Sequence, residues 1–252
     1  MPTTPRRRLH LGAADPLAYA PEARAFLGTP AWIHLYSPVK ESGSGPPAWR
    51  RLARRLLRRG GSPAAASGAR PGAWPAELLR GWTYLAFWMD ERSHLPFQDG
   101  RFGFALSEHL LEHLFLPEAF HVIREVRRVL APGGVFRVSV PDADLRPDPI
   151  EPLAFDASSG RTSRSAGRWD DPAVHKTRWN VYSLGLMLRL GGFEVATLRA
   201  YDRAGARTDR RPARGEPPYG ESADWEAIGR FDYLRRPDSL IVDAVAVARP
   251  FA

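Results

Sequence analysis

The chain has 252 residues, enough for one α/β domain with a full core. Its hydrophobic content of 44% is ordinary for a folded protein and argues against global disorder. The absence of cysteine excludes disulfides, thiolate metal sites and cysteine nucleophiles, and it agrees with a cytoplasmic location. No apolar stretch approaches the roughly 20 residues of a membrane-spanning helix, and the basic N-terminus is not followed by the apolar run of a secretory signal. We therefore expect a cytoplasmic protein with no transmembrane segment.

The net charge of +8 invites a nucleic-acid interpretation, because basic proteins bind polyanions. Lys40 and Lys176 are the only lysines, so nearly all of this charge is carried by arginine. Alanine, proline and glycine are abundant as well, and a GC-rich genome tends to produce this composition whatever the function. Charge alone therefore does not favour nucleic acid as the partner.

Apolar runs of the β type alternate with helical runs along the chain, which predicts βαβ units and a largely parallel sheet. The clearest helical period covers residues 117–130 and ends at Ala131-Pro132-Gly133-Gly134, a strong helix terminator. A second helix is predicted over 182–190. The predicted strands, in chain order, are 8–12, 31–36, 84–89, 102–107, 135–140, 193–198 and 239–248.

Two segments interrupt this alternation, and we treat them as parts of a single domain over residues 1–252. Residues 40–80 form an Arg/Gly/Pro-rich insertion that contains the basic block 49–59. We favour a solvated surface helix for this block, with a helix that rests on a membrane or a polyanion as the alternative. Residues 143–178 are rich in Pro, Asp, Ser and Arg and predict a long loop or lid.

The segment from Leu95 to Leu145 carries the most specific motifs of the chain. In order, they read Leu95-Pro96-Phe97, then His109-Leu110-Leu111-Glu112-His113, then Arg128-Val129-Leu130-Ala131-Pro132-Gly133-Gly134, and a strand that ends in Pro141-Asp142. This series resembles the second half of class I S-adenosylmethionine (SAM) dependent methyltransferases. Several separated motifs in the right order make the resemblance specific.

The remainder of the chain is similar to one bacterial group of predicted methyltransferases within that class. The opening LHLGAAD followed by AWIHLY, the segment His175-Lys176-Thr177-Arg178-Trp179-Asn180, and the closing run Ser239 to Ala244 all match its pattern. The resemblance implies an α/β, Rossmann-like class I fold, with a seven-stranded, mostly parallel sheet and helices on both faces. It also implies SAM as the cofactor.

The resemblance places the cofactor beyond the carboxyl ends of the strands, where ligands bind in doubly wound sheets. The residues that it implies for cofactor binding are Gly12, Ala13, Asp15, Tyr36, Asp90 and Ser107. The chain departs from the family at three of the expected positions: it has Ala13-Ala14 instead of a second glycine, Tyr36 instead of an acid for the ribose, and Gly103 instead of aspartate. These departures leave open the alternative that SAM binding has been lost.

The candidate catalytic residues are His109, Glu108, Asp142 and His175. His109 ranks first as a base, because the turn after the fourth strand would aim it at the methyl group. The alternatives are a helix-capping role for His109, a turn-capping role for Asp142 and a solvent-exposed His175. Glu112 and His113 are interpreted as structural, with Glu112 in the first turn of a helix.

No histidine spacing in the chain matches a known metal motif. His109 and His113 could share one face of a helix, but the spacing offers no third ligand, so we predict no metal site.

The favoured function is therefore methyl transfer to a small-molecule or glycan-type substrate. The alternative is a methyltransferase-like protein without methyl transfer, acting as a binding partner, a scaffold or a non-methylating catalyst. A weaker third hypothesis is methylation of RNA or another polyanion through the basic block 49–59.

Overall fold

An eight-stranded sheet organises the structure, a computed structural model that describes residues 7–12, 19–36, 82–87, 93–145, 175–202, 204–221, 223–230 and 237–247. The strands are β1 (Arg7–Leu11), β2 (Trp32–Tyr36), β3 (Tyr84–Ala86), β4 (Phe102–Glu108), β5 (Leu130–Pro141), β6 (Phe193–Tyr201), β7 (Arg207–Asp209) and β8 (Ser239–Ala246). The helices are α1 (Pro21–Leu27), α2 (Leu116–Val129), α3 (Val181–Leu190) and α4 (Trp225–Ile228), and a 3₁₀ turn covers Leu111–His113.

The strand order in the sheet is β3-β2-β1-β4-β5-β8-β6-β7. The pairs from β3 to β5 are parallel, whereas β8 runs antiparallel to both β5 and β6. The mostly parallel, Rossmann-like sheet is thus confirmed, but the predicted number of seven strands is wrong. The additional strand, β7, consists of three residues, all exposed, and pairs with β6 at the sheet edge. It has no buried apolar pattern from which it could have been predicted.

Two apolar clusters fill the two faces of the sheet, because alternate residues of each strand point to opposite sides. One cluster joins strand residues such as Leu9, Phe136 and Val242 to α2 and α3. The other joins strand residues such as Phe104 and Ile241 to α1 and α4. Helices therefore cover both faces, as predicted. Among the helices in the described ranges, none is long and apolar enough to cross a membrane.

The motif segment 95–134 is held together by an ion pair on the surface of α2. Arg128 donates to Glu125 and to the backbone carbonyls of Leu95 and Phe97, and Glu125 accepts the N–H of Leu95. Burial raises the pKa of Glu125, but the hydrogen bonds from Arg128 and Leu95 outweigh it and lower this pKa to about 2. The Leu95-Pro96-Phe97 motif is therefore bound directly to Arg128, the first residue of the motif 128–134.

The two interrupting segments of the sequence fall largely outside the described residues. Of the insertion 40–80, including the basic block 49–59, nothing is described, and of the segment 143–178 only its two ends are. The surface helix and the lid remain predictions.

Candidate functional site

The carboxyl ends of β1, β4 and β5 meet at one edge of the sheet. Gly12 follows β1, Glu108 ends β4, His109 comes next, and Asp142 follows β5. The order of the strands reverses between β1 and β4, because the chain builds outward from β1 in one direction and from β4 in the other. Such a reversal opens a crevice beyond the strand ends, and this is where open α/β sheets bind ligands.

Gly12 occupies a position that only glycine tolerates without strain. Its φ is +74°, in the left-handed region. A Cβ atom placed on Gly12 would lie 3.0 Å from Cβ of Leu110 and 3.6 Å from the carbonyl oxygen of Glu108. The backbone after β1 therefore passes very close to the turn after β4, within the crevice.

The other predicted cofactor residues are only partly described. Ala13, Asp15 and Asp90 lie outside the described residues. Tyr36 ends β2, and its backbone alone is described. Ser107 is fully buried in β4, and its hydroxyl oxygen has no hydrogen-bond partner within the described part of the chain. The roles of these residues in cofactor binding stay predictions.

His109 is fixed through both of its ring nitrogens. Nε2 lies 2.8 Å from the hydroxyl of Ser239, and Nδ1 lies 3.1 Å from Oε1 of Glu112. The backbone of His109 has a φ of +48°, in the left-handed region. His109 and His113 therefore do not share a helical face, because His109 lies between the end of β4 and a single 3₁₀ turn and has a left-handed backbone.

Glu112 lies in the first turn of a helix, as predicted, but this helix is the single 3₁₀ turn Leu111–His113. Its side chain is buried, with 1% of the residue exposed. Neither carboxylate oxygen accepts a well-aligned hydrogen bond from the residues that the structure describes. The contact with His109 is close, but it lacks the angle of a hydrogen bond.

Asp142 is buried, and its carboxylate accepts hydrogen bonds from two backbone N–H groups. Its Oδ1 accepts the N–H of Asp144 at 3.0 Å, and its Oδ2 accepts the N–H of Tyr201 at 2.8 Å. Burial raises the pKa of Asp142, and these two N–H donors only partly offset the effect. The geometry agrees with the turn-capping alternative, in which Asp142 ties the end of β5 to the end of β6.

His175 reaches the site because its segment docks on the 3₁₀ turn. The N–H of Lys176 donates to the carbonyl of Glu112 at 2.6 Å, and the hydroxyl of Thr177 donates to the carbonyl of Leu111 at 3.0 Å. These bonds bring the ring of His175 to within 4.8 Å of the ring of His113, measured between centroids, with the planes at 78°. His175 is partly buried rather than fully solvent-exposed.

The sequence singled out Glu112, His113 and His175 separately but did not bring them together. Two of them are neighbours in the 3₁₀ turn, and the third comes from far along the chain. One signal in the sequence could have indicated the group: the His175 segment directly precedes α3, which packs beside α2. The spacing of the three residues along the chain does not indicate that they meet.

Residues 76–138 match the family model of the methyltransferase domain. A search of curated proteins found no match to this sequence. Among solved structures, the chain is similar to an S-adenosylmethionine dependent methyltransferase from Mesorhizobium loti, at 18% identity and a TM-score of 0.46, over 95% of this chain and 90% of that one. It is also similar to the 1,6-didemethyltoxoflavin-N1-methyltransferase of Burkholderia thailandensis, at 15% identity and a TM-score of 0.46, over 96% and 72% of the two chains.

The sheet order, the reversal beside β1 and the two helical faces define a Rossmann-like fold of the class I methyltransferase type. The match over 76–138 falls on the segment whose motifs carry the resemblance in the sequence. The match confirms the resemblance to a methyltransferase domain over this segment.

Proposed function

We propose that this protein is a SAM-dependent methyltransferase that acts on a small-molecule or glycan-type substrate. The observation that carries the proposal is the turn at Gly12, whose positive φ and missing Cβ bring bare backbone to the switch point of the sheet. A nucleotide-type cofactor needs this close backbone approach after the first strand. The methyltransferase-domain match over 76–138 supports the same assignment.

The chain's own contribution to the reaction would be binding, positioning and exclusion of water. When bound, SAM supplies an electrophilic methyl group on a sulfonium. Alignment of the substrate's O, N or C nucleophile accounts for most of the gain in such displacements. Gly12, Ala13 and Asp15 are our candidates for holding the cofactor, with Tyr36, Asp90 and Ser107 around it. His109 and Glu108 stay the first candidates for contact with the substrate, with Asp142 and His175 as further candidates.

The test is calorimetric titration of the full chain with SAM and with S-adenosylhomocysteine. We expect micromolar binding, and we expect Gly12→Ala to weaken it at least about tenfold, because the new Cβ would collide with Leu110 and strain the turn. Gly205→Ala is the matched control. Gly205 has a similar φ of +81°, but a Cβ there would meet no atom within 4 Å. The control variant should carry a comparable backbone strain and bind the cofactor normally.

The second candidate is a methyltransferase-like protein that no longer transfers methyl groups. The pair Ala13-Ala14 and the missing acid at Tyr36 favour this alternative, since both positions depart from the family pattern. The absence of binding at millimolar cofactor would overturn the methyltransferase proposal and leave this one.

The single-domain organisation over 1–252, the cytoplasmic location and the bacterial origin belong to the same proposal. They are supported by the length, the lack of cysteine and the bacterial group that the sequence resembles. No described feature favours nucleic acid as the substrate, since the basic block 49–59 lies outside the described residues.

A further inference from the structure

Three side chains with metal-ligating atoms converge beside the crevice: Glu112, His113 and His175. One ligand atom from each lies within 4.8 Å of the others. Nε2 of His113 is 4.0 Å from Oε1 of Glu112, and the two imidazole rings meet edge to face. The group combines one carboxylate with two imidazoles from two separate segments of the chain.

The carboxylate of Glu112 is buried and accepts no hydrogen bond from the described residues. The residue is 1% exposed, and within the described part of the chain neither of its oxygens accepts a hydrogen bond. Burying a carboxylate that accepts no hydrogen bond is unfavourable in free energy. In proteins such groups are paired or coordinate metals. Nδ1 of His109 lies 3.1 Å from Oε1, close enough to orient the carboxylate.

The backbone around the three residues is fixed by hydrogen bonds. The N–H groups of Lys176 and Thr177 both donate to the carbonyl of Glu112, and the ammonium of Lys176 donates to the carbonyl of His113 at 2.8 Å. These bonds attach the irregular segment that bears His175 directly to the turn that bears Glu112 and His113. The three ligands are therefore held together by the fold, before any ion binds.

We propose that Glu112, His113 and His175 bind a divalent first-row transition metal, of which Zn²⁺ is the probe of choice. Imidazole and carboxylate together suit such ions, whereas Mg²⁺ prefers oxygen ligands alone. In a tetrahedral zinc site with bonds of about 2.0–2.1 Å, ligand atoms lie about 3.3 Å apart. The present separations of up to 4.8 Å exceed that value, so the proposal requires the side chains to move closer when the ion binds.

Three protein ligands leave at least one coordination position open. His113 and His175 are only partly buried, so this position faces the accessible side of the site, where water or an oxygen atom of a ligand can reach it. The proposal reverses the sequence-based prediction of no metal site. It does not depend on cofactor binding or on methyl transfer, because metal binding is measured on the protein alone.

The test is titration of the metal-free full chain with Zn²⁺ by calorimetry, with Co²⁺ absorption as a second probe of the ligand set. We expect one bound Zn²⁺ per chain, a visible Co²⁺ spectrum and a Zn²⁺-dependent rise in Tm. Glu112→Gln and His175→Ala should each weaken Zn²⁺ binding by at least about tenfold, the loss that even outer partners of metal sites produce. Mg²⁺ at the same concentration should not compete.

His94→Ala is the matched control, because His94 also lies close to another imidazole, that of His121, with 5.8 Å between ring centroids. Its side chain is 77% exposed, and its contact with Oε1 of Glu125 at 3.3 Å is an ion pair of the kind that contributes little, so its loss should leave Zn²⁺ binding unchanged. Without metal, Glu112→Gln should unfold at the same or a higher temperature than the parent chain, because it removes a buried carboxylate that accepts no hydrogen bond. Zn²⁺ binding that Glu112→Gln and His175→Ala both retain, or that His94→Ala abolishes, would overturn the proposal, and so would no Zn²⁺ binding by the parent chain.

Discussion

Two histidines, His10 of β1 and His34 of β2, meet side by side in the interior of the sheet. Their Nδ1 atoms are 3.1 Å apart, and Nε2 of His34 lies 3.0 Å from the carbonyl oxygen of Leu27. Aromatic rings, including those of Trp32 and Trp82, surround the pair. Burial, and secondly the charge of His34, lower the pKa of His10 well below 6.5. His10 is therefore neutral in the folded protein.

The free energy of unfolding should depend on pH through His10. Its folded-state pKa is lowered, so its stabilisation is present above about pH 6.5 and is lost as pH falls below that value, where the unfolded chain takes up the proton first. Denaturant unfolding between about pH 7.5 and 5 measures the effect. His10→Phe should reduce the slope, by at most about 1.4 kcal/mol per pH unit. Equal slopes for the parent and His10→Phe would contradict the assignment.

At the scale of elements, the segment 175–180 connects the 3₁₀ turn to α3. Trp179 is fully buried and forms an isolated bridge with Asp142, and Asn180 caps α3. The side chain of Asn180 accepts the N–H of Ser183 at 2.9 Å, while the hydroxyl of Ser183 accepts the N–H of Asn180 at 3.0 Å. Much of the His175 to Asn180 motif therefore serves to begin a helix and to place His175.

Replacing the cap should destabilise the protein measurably. Asn180→Ala leaves the N–H of Ser183 without its acceptor, and we expect a loss of about 0.5–2 kcal/mol in the free energy of unfolding. Asn180→Ser, which keeps a side-chain oxygen as the acceptor and adds no charge beside Asp144, is the control and should lose less. Chemical denaturation of the three proteins gives the comparison. A loss of the same size in Asn180→Ser would show that the acceptor is not what matters.

At the scale of the whole molecule, a buried ion pair crosses from β5 to β8. Arg137 and Asp243 are directly opposite in the ladder, both are 0% exposed, and they are joined by two bonds of 2.7 Å. Tyr219 donates to the carboxylate, and Arg137 donates to the carbonyl of Ile228, so the pair also anchors the segment around α4. Burial, followed by the charge of Asp243, raises the pKa of Tyr219, which therefore keeps its proton as the donor.

Breaking this pair should cost more than any surface change. Asp243→Asn removes the charge and leaves the guanidinium of Arg137 buried without its partner, for which we expect a loss of about 3–5 kcal/mol in the free energy of unfolding. The control is Arg207→Met in the exposed pair with Asp209, which should leave Tm nearly unchanged. If Asp243→Asn unfolded at the same denaturant concentration as the parent chain, the pair would not stabilise the fold.

Most of the regular architecture could be predicted from the sequence. The strands at 8–12, 31–36 and 102–107 and the helix at 117–130 correspond to β1, β2, β4 and α2 within two residues at each end. These elements bury whole faces, so their apolar residues repeat with the period of the backbone. The short helices α1 and α4 and the strand β7 were not predicted, because each is too short to display a period.

The sequence by itself determined the fold class and the resemblance to methyltransferases, because the alternation of apolar periods and the motifs of residues 95–145 are local patterns. Only the tertiary structure decided what meets at the carboxyl ends of the strands. The left-handed backbone of His109 separated it from His113, and the docking of residues 175–180 brought His175 to Glu112 and His113. Such contacts depend on packing between segments far apart in the chain, and no spacing in the sequence encodes them.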